Sequence, residues 1–265
     1  MSALAGHTGS YYSYSANDAF AGIAAAGFRH VELSAVPGAV EHVDVHADPA
    51  DAKEVLESYG LEPVSISGHS VLTTQEGLDH GLAVVEWAAG YGIPIVNTAV
   101  GGHAPDTEED EALFLGNIGT LADAAQAAGI TIALEIHGDL MASGEKSRPL
   151  LERIGHPAIK VNYDTANVEY YAGVSAADDI RTIADMVGHV HLKDARGGKG
   201  NWDFPAIGEG HVDFATVLSV LRDAGYDGPY SVEIEFTGTV PWPPLEDVNE
   251  AMRVSYENLK KLGLS

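Results

Sequence analysis

Eight short runs rich in β-branched or apolar residues recur along the chain, and a longer amphipathic stretch separates each from the next. The predicted strands are Leu4–His7, His30–Ser34, Pro63–Ser67, Ile93–Ala99, Thr131–Ile136, Ile159–Tyr163, His189–Lys193 and Tyr230–Ile234. The predicted helices are Ala16–Ala26, Pro49–Tyr59, Gly77–Tyr91, Glu108–Ala128, Ser147–Ile154, Ala176–Met186, Phe214–Ala224 and Asn249–Leu262. Glycine follows five of these helical runs, at Gly27, Gly60, Gly92, Gly129 and Gly225, where a left-handed cap is wanted. Strands alternating with helices call for a parallel sheet with crossover helices. Eight units in 265 residues fit a closed (β/α)8 TIM barrel, read as one domain over residues 1–265, because such barrels run to about 250 residues. An open doubly wound sheet is the alternative.

Charge narrows the partners. The chain has 14 Lys and Arg against 39 Asp and Glu, a formal net charge of −25. Binding phosphates on nucleic acid or on an anionic membrane surface requires a basic footprint that this balance lacks. With no cysteine, disulfides and thiolate metal sites are excluded. Residues 1–17 show no basic segment followed by an apolar one, and no apolar run approaches the ~20 residues of a membrane span. The expected location is cytoplasmic.

The informative positions are the ends of the last four strands. Residues two apart on a strand share a face. Glu135 and His137 pair in this way, as do Asn162 and Asp164, His189, His191 and Lys193, and Glu233 and Glu235. The residues between them are mostly apolar and suit the face turned to the helices. The polar set then points into the barrel at its C-terminal mouth, where barrel active sites are built, in an interior otherwise filled by bulky apolar side chains. Carboxylates buried there must be paired or bound to metal. Taken singly, a Glu at a strand end is a solvated rim residue and a buried His a satisfied core residue, and His189 is read in that way or as orienting its neighbours. Their recurrence at one depth on four consecutive strands argues for a shared site. Glu135, Asp164, His191 and Glu233 together offer three carboxylates and one imidazole, which suit Mn2+ or Mg2+, with Co2+ and catalytic Zn2+ also compatible.

At these residues the chain resembles the sugar phosphate isomerase/epimerase superfamily, the xylose-isomerase-like barrels. The resemblance runs through Leu134–His137, Tyr163–Asn167, Gly188–Asp194, Ile207–Phe214, Gly225–Gly228 and Val232–Glu235, with a weaker echo in Gly27–Leu33. It implies one divalent ion held by Glu135, Asp164, His191 and Glu233, and a small sugar as substrate. It also implies that Glu135 and Glu233 serve as acid and base on opposite faces of a ketose, through an enediolate. Dimers or tetramers are common in the superfamily, which makes a homo-oligomer the expectation.

Two departures separate the chain from the ketose 3-epimerase branch. Asn167 stands where that branch carries a substrate-binding His, and Gly197, beside Arg196, where it carries Arg. The Glu-x-His pair of Glu135 and His137 is similar instead to the branch acting on 3-keto-glycosides, where the His is a base; His137 is thus a candidate acid/base group, with support of Glu135 as the competing role. The runner-up activity is a lyase or dehydratase on a 3-keto-glycoside or keto-inositol, and a non-catalytic sugar-binding barrel is the third reading. His69 and His103 follow the third and fourth strands and are expected to line the substrate pocket. Barrels resembling endonuclease IV bind extra zinc at such positions, but here the further ligands are missing. Lys193, Arg196 and Lys199 concentrate base in one glycine-containing loop, as substrate contacts or as part of a lid, with an unphosphorylated sugar favoured.

Overall fold

In the computed structural model, which describes residues 2–100 and 108–264, the strands are β1 (Leu4–His7), β2 (His30–Ser34), β3 (Glu62–Ser67), β4 (Ile95–Thr98), β5 (Thr131–Glu135), β6 (Ile159–Asp164), β7 (Val187–Leu192) and β8 (Tyr230–Val232). All neighbours pair in parallel and in chain order. The open sheet is excluded by the pairing of β1 with β8, in which Leu4 lies opposite Tyr230 and Gly6 opposite Val232. The result is a closed (β/α)8 TIM barrel.

The helices are α1 (Ala16–Ala26), α2 (Pro49–Tyr59), α3 (Gln75–Tyr91), α4 (Glu108–Ala128), α5 (Gly144–Ile154), α6 (Asn167–Ala172), α7 (Ala176–Asp179), α8 (Phe214–Asp223) and α9 (Leu245–Lys261). Their ends follow local chemistry. Ser15 and Asp18 form a capping box at the start of α1, and Asp48 caps α2 with Pro49 in its first turn. Gly27 closes α1 at φ 109°, a left-handed conformation that a side chain would strain.

The predicted helix Ala176–Met186 is broken. Only α7 is α-helical, and two 3-10 turns follow, Ile180–Thr182 and Ala184–Met186. Ile183 leaves the helical region between them, at φ −139°. The Asp179 carboxylate is drawn away to the amides of Gly144 and Glu145, at 2.7 and 3.4 Å, and to the Tyr163 hydroxyl, at 3.1 Å. The short helix α6 was not predicted; Asp164 starts it by accepting from the amides of Ala166 and Asn167.

The apolar side chains of the strands, among them Val31, Leu33, Ile66, Leu134, Val161, Val190 and Val232, are fully buried in one continuous core with residues of the helices. The expectation of an apolar lumen is corrected. Glu32, Ser65, Asn97, Asn162, His189 and Ser231 are all buried polar residues, bonded to one another. His189 reaches Ser65 and Ser231 through Nε2, at 3.0 and 3.2 Å, and donates from Nδ1 to Asn162 Oδ1, at 2.9 Å. Asn97 Nδ2 donates to Glu32 at 2.6 Å. Such burial is tolerable because nearly every group finds a partner, Asn97 Oδ1 being the exception among these residues. The lumen is therefore a rigid polar plinth beneath the mouth.

Candidate active site

The mouth is built on that plinth. Glu135 ends β5 and Asp164 ends β6. His191 lies on β7 opposite Asp164. Lys193, Glu233 and Glu235 stand just beyond β7 and β8. One donor atom from each of Glu135, Asp164, His191 and Glu233 lies within 4.8 Å of every other, and all four residues are buried. His191 turns Nδ1 to this cluster, 3.2 Å from Glu135 Oε1, 3.4 Å from Glu233 Oε2 and 3.9 Å from Asp164 Oδ2.

A divalent cation fits these donors. Asp164 uses Oδ1 for the two amides of α6, while its Oδ2 is buried without a hydrogen bond and faces the cluster. Burial, reinforced by Glu233 and Glu135 against the pull of Lys193, pushes its carboxyl up to about 8. Three carboxylates so close cannot all hold charge comfortably without a cation among them. Lys193 supplies part of that charge. Its ammonium lies 3.2 Å from Glu233 and 3.6 Å from Asp164, pairs with Glu235, and sits 4.5 Å over the ring of Phe204. Burial would lower its pKa, but these carboxylates outweigh burial and hold it well above the usual lysine value. Lys193 is thus a buried part of the mouth, whereas Lys199 is exposed.

Glu135 and Glu233 of the donor set line a cavity of about 160 Å3 whose walls also include His7, His69, His137, Asn167, Lys193, Trp202 and Glu235. His69 Nε2 is 3.0 Å from Glu135 Oε2. Against burial, His69 and His191 hold the Glu135 carboxyl low. His137 makes a 3.0 Å hydrogen bond between Nε2 and the Tyr171 hydroxyl; its Nδ1 is buried and unpartnered, and burial lowers its pKa. Asn167 donates to the Ile136 carbonyl at 3.0 Å and to Glu135 at 3.3 Å. Beside this cavity a groove of about 700 Å3 opens between Ala35–His46 and His69–His80, and His69 belongs to both walls. The groove is the larger space, but Glu135 and Glu233 of the donor set line the smaller one.

Arg196 is not brought to the mouth. It is half exposed, pairs with Glu209 at 2.6 Å and Asp203 at 3.7 Å, and does not line the cavity. His103 lies outside the described residues. Two residues of the mouth escaped the sequence reading. His7 donates from Nδ1 to Glu233 at 3.0 Å, and Glu32, on β2, contacts His191 from below at 3.1 and 3.2 Å. Both obey the two-residue alternation that singled out the later strands: His7 closes β1, and Glu32 is the one carboxylate in an otherwise apolar Val-Glu-Leu run.

The profile described as xylose isomerase-like TIM barrel matches residues 20–258. L-ribulose 3-epimerase of Methylomonas sp. (strain DH-1) is 24% identical over 258 residues, which cover 91% of this chain and 85% of that protein. Inosose dehydratase of Geobacillus thermodenitrificans (strain NG80-2) is 28% identical over 145 residues, about half of each chain at 49% and 48%. The crystal structure of D-allulose 3-epimerase from Methylomonas sp. superposes with a TM-score of 0.77 at 23% identity, over 98% of both chains. With its matched profile spanning nearly the whole barrel, the chain belongs to the xylose isomerase-like TIM barrel family.

Proposed function

We propose that the chain, acting as one barrel unit over residues 1–265, is a divalent-metal-dependent epimerase or isomerase of a ketose or keto-sugar derivative. The observation that carries this reading is the convergence of Glu135, Asp164, His191 and Glu233, with Asp164 Oδ2 left without a hydrogen bond, beside a cavity that Glu135 and Glu233 line together with other ionisable side chains. The similarity to an L-ribulose 3-epimerase along most of both chains supports it. Those four residues would hold the ion, Mn2+ or Mg2+ by their oxygen-rich set, with Co2+ or Zn2+ as the alternatives. The ion would supply the positive charge that polarises the substrate carbonyl and stabilises the negative charge developing on its oxygen.

The protein's part is proton transfer. One of Glu135 and Glu233, as the ionised carboxylate, takes the proton from the carbon beside the carbonyl, and the other, as the protonated carboxylic acid, delivers its proton to the opposite face. They are suited to this by standing on strands separated by β6 and β7, so they address the substrate from different sides. Lys193 contacts Glu233 at 3.2 Å and His69 contacts Glu135 at 3.0 Å, which holds the two carboxyl groups in place. Asn167 and Trp202 complete the wall, and His137 and Lys193 are offered to substrate hydroxyls. Among the described residues the lysine lining the cavity is Lys193, and its charge is already balanced by Glu233 and Glu235, which disfavours a phosphate; an unphosphorylated sugar is favoured. Among the described residues no helix is long and apolar enough to cross a membrane, and we place the protein in the cytoplasm, as a homo-oligomer.

A second reading has its own observation. His137 keeps a buried, unpartnered Nδ1 beside the cavity, as an extra base for a lyase or dehydratase would, and the adjoining groove has room for a substituent beyond one sugar ring. The test is to incubate the Mn2+-loaded protein with L-ribulose, D-allulose and a 3-keto-glucoside and identify the products by NMR. Interconversion of epimers that stops on chelation supports the first reading. Loss of the substituent or of water replaces it with the second, and no change in any substrate contradicts both.

A further inference from the structure

We propose that Glu32 is the positioning residue of the metal centre: it holds the His191 ring with Nε2–H turned down to its own carboxylate and the Nδ1 lone pair turned up to Glu135, Asp164 and Glu233. The inference rests on the metal-binding reading above and assigns a role to a residue that touches neither the cavity nor any substrate.

The geometry leaves one arrangement for the ring. His191 Nε2 lies 3.1 and 3.2 Å from the two oxygens of Glu32, and a carboxylate there can only accept. The Nε2 proton must therefore be present, so Nδ1 is the ring nitrogen left to give a lone pair when an ion is bound. Nδ1 is the atom that faces the other three donors. Second partners of this kind set the tautomer and orientation of metal-binding histidines.

Glu32 is itself immobilised. It is fully buried, takes the 2.6 Å bond from Asn97 and lies 3.3 Å from His189 Nε2. It also stands 3.9 Å below His7 Nε2, whose Nδ1 holds Glu233. The His7 and His191 rings stack with centroids 5.2 Å apart. Gly9 makes room for this, since a methyl group there would come within 2.6 Å of the His7 ring. One carboxylate on β2 thus sits beneath two histidines, His191, itself a member of the donor set, and His7, which holds another member, Glu233.

Glu32, His189 and His191 also lie close enough together to be a cation site of their own. The hydrogen bonds argue against that use. His191 Nε2 carries the proton that it gives to Glu32, and the His189 Nε2 lone pair is already engaged by the hydroxyls of Ser65 and Ser231, at 3.0 and 3.2 Å.

The test compares Mn2+ binding to the wild-type protein and to Glu32→Gln by calorimetry, below the melting temperature of each. Glutamine keeps the volume but replaces one acceptor by a donor facing His191. The expected result is one ion per wild-type chain and a dissociation constant raised roughly 10–100-fold in the variant, with circular dichroism unchanged. A purely structural Glu32 would lower the melting temperature and leave the affinity of the folded protein intact, which overturns the proposal. So would a second ion per chain that disappears in Glu32→Gln. Should the variant not fold, the nitrogen NMR shifts of His191 in the Mg2+-loaded wild type decide: a proton on Nε2 with a downfield, hydrogen-bonded shift is expected, and a proton on Nδ1 refutes it. Absence of ion binding by the wild type would instead refute the metal reading beneath it.

Discussion

His7 Nδ1 lies 3.0 Å from Glu233 Oε1, so the first and last strands are joined at the barrel mouth through a histidine and a carboxylate. Glu233 stands just past the end of β8; its amide donates to the Leu192 carbonyl at 3.0 Å, and its side chain is otherwise held by Lys193 at 3.2 Å. His7→Ala should therefore leave bound Mn2+ near one ion per chain and lower kcat by roughly 10–100-fold, the usual scale for a lost orienting partner. Steady-state kinetics beside elemental analysis checks this, and wild-type kcat would contradict it.

His137 separates binding from chemistry. Its Nε2 is tied to Tyr171 and its Nδ1 is unpartnered. As an acid/base group, its replacement by Ala should keep the metal and lower turnover by roughly 10²–10⁴-fold. A support for Glu135 would show instead as weaker metal binding. Tyr171→Phe, which removes only the partner hydroxyl, should have a smaller effect in the same direction.

Asp164→Asn should have opposite effects with and without metal. The Asp164 carboxyl ionises at about 8 in the folded chain and near ~4 when unfolded. Between these values the folded chain holds a proton that the unfolded chain has lost, so stability falls as pH rises through that window. Asparagine has no charge to bury and can still accept from the amides of Ala166 and Asn167. Without metal, Asp164→Asn should melt above the wild type at pH 8, by about 2–4 °C for each kcal/mol relieved, and the two should converge near pH 4. With excess Mn2+ at pH 8 the order should reverse, because only the wild type gains binding energy. Scanning calorimetry at the two pH values tests both halves.

Asp194 is a fastener. Its buried carboxylate accepts from the amides of Ala195, Gly208, Gly210 and Val212 at 2.8–3.1 Å, which binds the loop 207–212 to the end of β7 beside Lys193. Asp194→Ala leaves these donors without their charged acceptor and should cost about 3 kcal/mol or more, read by urea denaturation. Proteolysis should then cut first within residues 195–212.

The barrel was legible because its alternation is local: caps and glycines mark where helices stop, as Ser15 and Gly27 do around α1. The donor cluster was legible because side chains alternate along strands, so Glu135, Asp164 and His191 announced a shared face. Other features depend on contacts far apart in sequence. Ala176–Met186 has a helical pattern, but Asp179 is claimed by the amides of Gly144 and Glu145, more than thirty positions earlier. Glu32 and His191, 159 positions apart, meet only because the barrel closes. Arg196 illustrates the converse: base in the loop after β7 suggested a substrate contact, yet acidic neighbours in the folded loop, Glu209 and Asp203, take it up.

The most direct measurement is exchange of carbon-bound hydrogen. The Mn2+-loaded protein is incubated with a ketose in deuterated water, and the carbon beside the carbonyl is followed by proton NMR. Uptake of solvent deuterium at that carbon is expected for the wild type, and its loss on chelation of the metal and in Glu135→Gln and Glu233→Gln. Epimerised or rearranged product with no deuterium at that position, or exchange unaffected by removing the metal and both glutamates, would contradict a mechanism in which these carboxylates move the proton.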